Sequence, residues 1–290
     1  VILDYEQYSV KLIWGEKMTY KTLGNAEERI PAIGLGTWTI GGTETPDYSR
    51  DMEMVDIIAA AIEMGYTLID TAEYYAAGHT EELIGEAIKP IDRSKLFITS
   101  KVWPDNLSRK RLHQALKRTL KRLGTDYLDL YLIHWPNEQI PLAESLGAMS
   151  ESVDAGYVKY IGVSNFDLPL LEKAVAISKH PIVCNQVLYN VEDRQPRRSL
   201  LPFCLRNDVT LVAYSPVRRN IVSDRARRVL SSVAKTHGCS IYQVMLAWLI
   251  AQENVVTIPK STDLGHLKDN LASADISLSG AELYQIDSSL

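Results

Sequence analysis

Polar residues close one short apolar run after another in this sequence. Asp70 follows Thr67–Ile69, Lys101 follows Leu96–Ser100, and His134 follows Leu128–Ile133. Ser164 and Asn165 follow Val158–Val163, and Gln186 follows Ile182–Asn185. Tyr214 and Ser215 follow Val209–Ala213, and Lys260 stands one proline beyond Val255–Ile258. One such residue is usually a loop polar group of no consequence. Seven runs ending this way put ionisable and hydrogen-bonding groups around one mouth. Neighbouring strands lie about 4.8 Å apart, so Asp70 and Lys101 at adjacent ends come within ion-pairing reach. Tyr75, five residues past Asp70, can curl back over the same mouth. A free phenol titrates near about 10 and is a poor acid at neutral pH unless a cation stabilises the phenolate. Lys101, held charged by Asp70, supplies that cation, and His134 can hydrogen-bond the oxygen of a bound carbonyl. The set suits delivery of a proton to an oxygen that is becoming an alkoxide. It holds neither a base-activated nucleophile nor a cluster of metal ligands.

Each residue taken singly has a plainer reading. His134 alone would more often be a satisfied core histidine, Lys101 with Asp70 a buried structural pair, and Tyr75 one of fifteen tyrosines. Their order and spacing join them. Trp38, Trp103 and Trp135 directly follow strand-end positions and read as walls of an aromatic substrate pocket, with ordinary core packing as the alternative.

The elements that must position these residues alternate regularly. Eight apolar runs begin with Ile33–Gly36 and continue through the seven above; their near-continuous apolar character suits parallel strands covered on both faces. Helical periodicity lies between them. Asp51–Glu63 repeats apolar residues at three- and four-residue steps before Gly65, and Ser108–Leu123 carries a leucine stripe stopped by Gly124. Ser240–Gln252 is apolar almost all round, as a well-buried helix is, and Ser279 with Glu282 reads as a capping box opening a last helix. No linker divides the chain. The pattern predicts an α/β fold, a (β/α)₈ TIM barrel with an N-terminal extension or hairpin and a short C-terminal tail. A doubly wound nucleotide-binding sheet would need G-x-G-x-x-G between its first strand and helix; here Gly34 and Gly36 are followed by Thr39, and no helix starts before about Tyr48.

The chain has 290 residues, of which 46% are hydrophobic and 23% charged, enough for a large core in one barrel. Met18 is where the repeating pattern begins, so 18–290 is expected to be a single barrel. Val1–Lys17 reads as an extension outside the fold, or as an arm packed on it. A net charge of −5 gives no global reason to bind nucleic acid or anionic membrane. The basic segment with Arg109, Lys110, Arg111, Lys117, Arg118, Lys121 and Arg122 reads as a solvated helix face, as do Arg225, Arg227 and Arg228. Cys184, Cys204 and Cys239 are too few and scattered for a disulfide framework or thiolate metal cage, which fits a reducing, cytoplasmic setting. No signal or transmembrane segment is visible.

The segments Gly36-Thr37-Trp38, Ile69–Tyr75, Thr99–Trp103, Leu132–Pro136, Gly162–Phe166, Ala213–Pro216 and Ile258–Ser261 resemble the aldo-keto reductase family, in its short prokaryotic-type form. The resemblance spans roughly residues 18 to 275 in order and spacing. It implies a barrel that reduces aldehydes or ketones with NADPH, through a tetrad of Asp70, Tyr75, Lys101 and His134 with Tyr75 as proton donor. It also implies that Ser164, Asn165 and Gln186 hydrogen-bond the nicotinamide carboxamide and that Tyr214, with Ser215 beside it, stacks on the ring. Gly36 and Thr37 line the same end. Lys260, Ser261 and Thr262, before a helix starting near Asp263, make a phosphate site, and Asn270 faces the adenine.

Two positions depart from that pattern. His266 stands where many members have Arg, which gives up a bidentate guanidinium and leaves NADH possible. Arg218 and Arg219 replace a Gly-containing stretch and are expected to reach the cofactor pyrophosphate. Only a short segment, Pro136–Pro141, separates His134 from the next helix, so an open site with broad carbonyl acceptance is expected. A small carbonyl compound is the only partner implied, with no obligate protein partner, nucleic acid, membrane or metal. A cofactor-binding regulatory barrel with negligible turnover is the alternative, and a metal-dependent hydrolase lacks the paired histidines it would need.

Overall fold

The computed structural model describes residues 19–217 and 222–289. The expected extension at 1–17 and the arginines at 218 and 219 lie outside the described residues. A short antiparallel hairpin, β1 (Tyr20–Thr22) and β2 (Arg29–Pro31), opens the described chain. Eight parallel strands follow: β3 (Leu35–Gly36), β4 (Leu68–Asp70), β5 (Phe97–Val102), β6 (Leu128–Ile133), β7 (Val158–Ser164), β8 (Ile182–Leu188), β9 (Thr210–Tyr214) and β10 (Val255–Thr257). Each pairs with the next in sequence. The last meets the first through a parallel bridge between Ile33 and Thr257, with Gly34 N–H donating to Thr257 O at 2.8 Å and Gly36 N–H to Pro259 O at 3.0 Å. Those bonds close the barrel.

The hairpin plugs the end of the barrel away from the strand C-termini. Leu23 and Ile30 pack against Leu68, Phe97, Leu130 and Val212, which point inward. Gly24 makes the tight approach: its φ is +53°, its N–H donates to Thr210 Oγ1 at 2.7 Å, and a Cβ would sit 2.5 Å from Val183 O. No other residue type fits there without strain.

Outside the barrel, α1 (Asp51–Glu63), α2 (His79–Ile88), α3 (Arg109–Leu123), α4 (Leu142–Asp154) and α5 (Leu168–Ile177) each follow a strand. Then come α6 (Gln195–Arg198), α7 (Leu200–Arg206), α8 (Asp224–His237), α9 (Ile241–Ile250), α10 (Leu264–Ala272) and α11 (Gly280–Ser289). The first helix has the expected bounds, and Gly124 ends α3 in the left-handed conformation. Ser108 makes no side-chain cap on α3; Glu144 Oε1 accepts the Arg109 N–H at 2.9 Å instead. The apolar helix α9 is capped by a Ser240–Gln243 box, and the Ser279–Glu282 box opens α11. Arg197 and Trp248 both donate to Asp287, which fastens α11 to the barrel wall. Among the described residues, no helix is long and apolar enough to cross a membrane.

Candidate active site

Strand side chains alternate between faces, and here the alternation does the positioning. Leu68, Phe97, Leu130, Leu132, Cys184, Val212, Val256 and Ile258 fill the barrel interior. Two residues further along the same inward face stand Asp70, His134, Gln186, Tyr214 and Lys260, and Lys101 stands four beyond Phe97. One parity that packs the core therefore aims these groups at the barrel mouth.

The buried centre is a short chain of hydrogen bonds. Lys101 Nζ, with no solvent exposure, donates to Asp70 Oδ1 at 2.6 Å, to Thr71 O at 2.8 Å and to Tyr75 Oη at 3.2 Å. Gln186 Nε2 donates to the other Asp70 oxygen at 2.7 Å, and Thr37 Oγ1 to the Asp70 carbonyl at 2.8 Å. Burial pulls the Lys101 ammonium down, but Asp70 and Tyr75 outweigh it and hold it above its ordinary value. Burial raises the Tyr75 phenol, and the Lys101 charge only partly offsets that rise. Lys101 thus tempers the phenol but does not make it more acidic than a free one, whereas the sequence pattern leads one to expect a phenol acidified by that cation; burial outweighs the charge. His134 sits edge-on to Tyr75, with ring centroids 5.7 Å apart. Burial first, and the Lys101 charge second, push its imidazole down to about 3, so it is neutral at physiological pH. Its Nδ1 is buried without a partner among the described residues.

A cavity of about 710 Å³ opens over this centre. Trp38, Trp103 and Trp135 all line it, so the three expected wall residues come together. Tyr74 is an added wall that the strand-end logic did not single out. Its ring stacks on Trp103 with centroids 3.7 Å apart and lies parallel to Trp38 at 6.2 Å. Its signal in the sequence is adjacency to Tyr75. Gly36, Thr37, Ser164, Asn165, Gln186, Tyr214, Ser215 and Lys260 also line it. Asn165 is held by donating to His134 O and Ser164 Oγ, both at 3.0 Å, and by accepting from Tyr214 Oη at 2.9 Å.

A sequence model described as the aldo/keto reductase family matches residues 32–290. The chain belongs to the aldo/keto reductase family. It is 38% identical over 264 residues to methylglyoxal reductase YeaE of Escherichia coli K12, covering 89% of this chain and 90% of that one. Among solved structures it is similar to the thermostable aldo-keto reductase Tm1743, in complex with the inhibitor epalrestat, at 61% identity and a TM-score of 0.93. That match covers 93% of this chain and 99% of the other. An aldo-keto reductase from Klebsiella pneumoniae in complex with NADPH is 37% identical with a TM-score of 0.85, over 93% of this chain and 95% of that one.

The remaining expected cofactor positions of this aldo/keto reductase lie beyond the cavity walls, just before α10 and along it. Asp263 caps that helix by accepting the His266 N–H at 2.8 Å, so the helix begins where the sequence placed it. Ser261 is buried and accepts the Asp263 N–H at 3.0 Å. Thr262 is half-buried, Asn270 is half-buried beside Tyr66, and His266 is exposed. Lys260 is exposed, and partial desolvation of its ammonium together with the neighbouring Arg50 charge lowers it. Arg50, engaged with Glu53 at 2.6 Å, is a cation that strand-end logic could not find because it heads α1.

Proposed function

We propose that this chain reduces aldehydes and small ketones to alcohols, with NADPH as hydride source and Tyr75 as proton donor. The observation that carries the reading is the buried Asp70–Lys101–Tyr75 chain of hydrogen bonds with neutral His134 across from it. A raised phenol keeps its proton until the carbonyl oxygen gains negative charge, and the ammonium beside it then lowers the barrier to giving it up. Neutral His134 hydrogen-bonds that oxygen and fixes the carbonyl over Tyr75. Asp70, with Gln186 and Thr37 around it, keeps Lys101 charged and in place.

The donor set along the other wall fits a nicotinamide dinucleotide. Ser164, Asn165 and Gln186 offer a hydroxyl and two amides for a carboxamide, beside the Tyr214 ring; Lys260 offers a cation to phosphate at the far end. When bound, the reduced nicotinamide supplies a hydride to the carbonyl carbon. Ser261, Thr262, His266 and Asn270 are proposed to take the adenosine end, with NADH tolerated because His266 lacks a guanidinium fork. Small dicarbonyl aldehydes are proposed as first substrates, supported by similarity to relatives named methylglyoxal reductases. The aromatic walls favour planar aldehydes as well. Residues 18–290 are read as one barrel domain preceded by an extension, in a cytoplasmic setting that suits three free thiols.

Loss of NADPH absorbance with a panel of methylglyoxal, aliphatic and aromatic aldehydes and small ketones tests the reading. Turnover across several aldehydes, faster with NADPH than NADH, is the expected result. NADPH binding without consumption anywhere in the panel would leave only a cofactor-binding barrel.

A further inference from the structure

Directly after Tyr75 the backbone runs through three successive left-handed residues. These are Ala76 (φ 49°, ψ 40°), Ala77 (φ 53°, ψ 32°) and Gly78 (φ 96°, ψ −9°). Residues with a Cβ enter that region only at a cost, and the surroundings must over-determine them. On the mouth side, Ala76 N–H donates to Thr43 O at 2.6 Å. On the outer side, Arg122 of α3 lies flat against Gly78, so close that a Cβ there would sit 2.6 Å from its Nε and 2.8 Å from its Cζ.

Arg122 is itself held by a buried acid. Its Nε donates to Glu81 Oε2 at 2.6 Å, and Glu81, in the first turn of α2, has no solvent exposure. The other Glu81 oxygen accepts from Ser100 Oγ at 2.6 Å. Ser100 immediately precedes Lys101 in β5 and points to the opposite face of the strand. One carboxylate therefore grips the strand that carries Lys101 and, through Arg122, backs the segment that leads out of Tyr75. Inside the barrel the same two elements meet at the 3.2 Å contact between Lys101 Nζ and Tyr75 Oη. The ring Lys101–Ser100–Glu81–Arg122–Gly78–Tyr75 is closed on both faces of the strand.

We propose that Glu81, through Ser100 and Arg122, is a positioning residue for carbonyl reduction: it fixes the Tyr75 phenol against Lys101 from behind the sheet. The proposal rests on Tyr75 being the proton donor. Glu81 touches no part of the cavity, so its effect falls on the chemical step and spares cofactor binding. Misplacing a catalytic group by an ångström costs up to about 100-fold in rate.

The test is single-turnover reduction of methylglyoxal by NADPH-loaded enzyme, in wild type, Glu81→Gln, Ser100→Ala and Tyr75→Phe, with NADPH affinity and the solvent isotope effect measured alongside. Ser100→Ala keeps the Glu81–Arg122 pair, so it supplies the answer if Glu81→Gln does not fold. The expected result is a rate lowered by about 10- to 100-fold with NADPH affinity unchanged and a larger solvent isotope effect, as proton delivery becomes limiting. A wild-type rate in Ser100→Ala, or a rate loss matched by an equal loss of NADPH affinity, overturns the positioning role while Tyr75→Phe is inactive. An active Tyr75→Phe instead removes the donor assignment and the proposal with it.

Discussion

Lys101 Nζ, which has no solvent exposure, lies 3.2 Å from Tyr75 Oη at the floor of the cavity. The ammonium cannot serve the phenol without its own counter-ion, because a lone buried charge is too costly to keep. Asp70 at 2.6 Å supplies that counter-ion. Stability and chemistry are therefore coupled through one lysine.

Replacing Lys101 with Met leaves Asp70 buried without its cation, and the loss of stability is expected to be about 3–5 kcal/mol. The double variant Asp70→Asn/Lys101→Met removes both charges and should recover most of that stability while staying inactive. Denaturant melts paired with turnover assays check this. Recovery of activity along with stability would show that the pair is only structural.

Burial, with the Lys101 charge, pushes the folded His134 imidazole down to about 3, against about 6.5 for an unfolded histidine. Because the folded value is depressed, its contribution to stability is complete above the unfolded value and is lost as pH falls towards the folded one. The slope from this residue is about 1.4 kcal/mol per pH unit between those limits. His134→Asn should remove that share of acid lability, measured as the difference in unfolding free energy between variant and wild type at pH 6 and pH 4. Turnover should also show no ionisation near the ordinary histidine range, and a break in the pH–rate profile there would contradict a neutral His134.

Lys260 lines the cavity at the end of β10, whereas His266 is exposed on α10. Loss of a charge-assisted contact to phosphate is worth about 1.5–3 kcal/mol, so Lys260→Ala should weaken NADPH by roughly 10- to 100-fold. NADH should weaken less, and His266→Arg should shift preference towards NADPH. Fluorescence titrations of each cofactor decide it; equal losses for both cofactors would remove Lys260 from discrimination.

All eight barrel strands are legible as apolar runs, and the polar residues that close seven of them gather at the mouth. The runs understate several strands, however. β5 continues through Lys101 to Val102, and β8 through Gln186 to Leu188, because backbone pairing continues after side chains turn polar. The N-terminal hairpin that the fold expectation allows is present, but its strands, Tyr20–Thr22 and Arg29–Pro31, are too short to be placed by pattern. The turn that brings Tyr75 home was also hidden: nothing in Ala76-Ala77 announces a left-handed stretch, which tertiary contacts with Thr43 and Arg122 impose. Gln186 is legible as a mouth residue and, through the resemblance, as a cofactor contact, but its bond to Asp70 is not, because it joins residues 116 apart in sequence.

The central claim is that Tyr75 delivers the proton, and Tyr75→Phe tests it most directly. The substitution removes one oxygen and leaves the ring against Trp38 and His134. Turnover of NADPH with methylglyoxal should fall by about 10²- to 10⁴-fold, with NADPH affinity unchanged. Turnover in Tyr75→Phe equal to that of wild type would contradict the account.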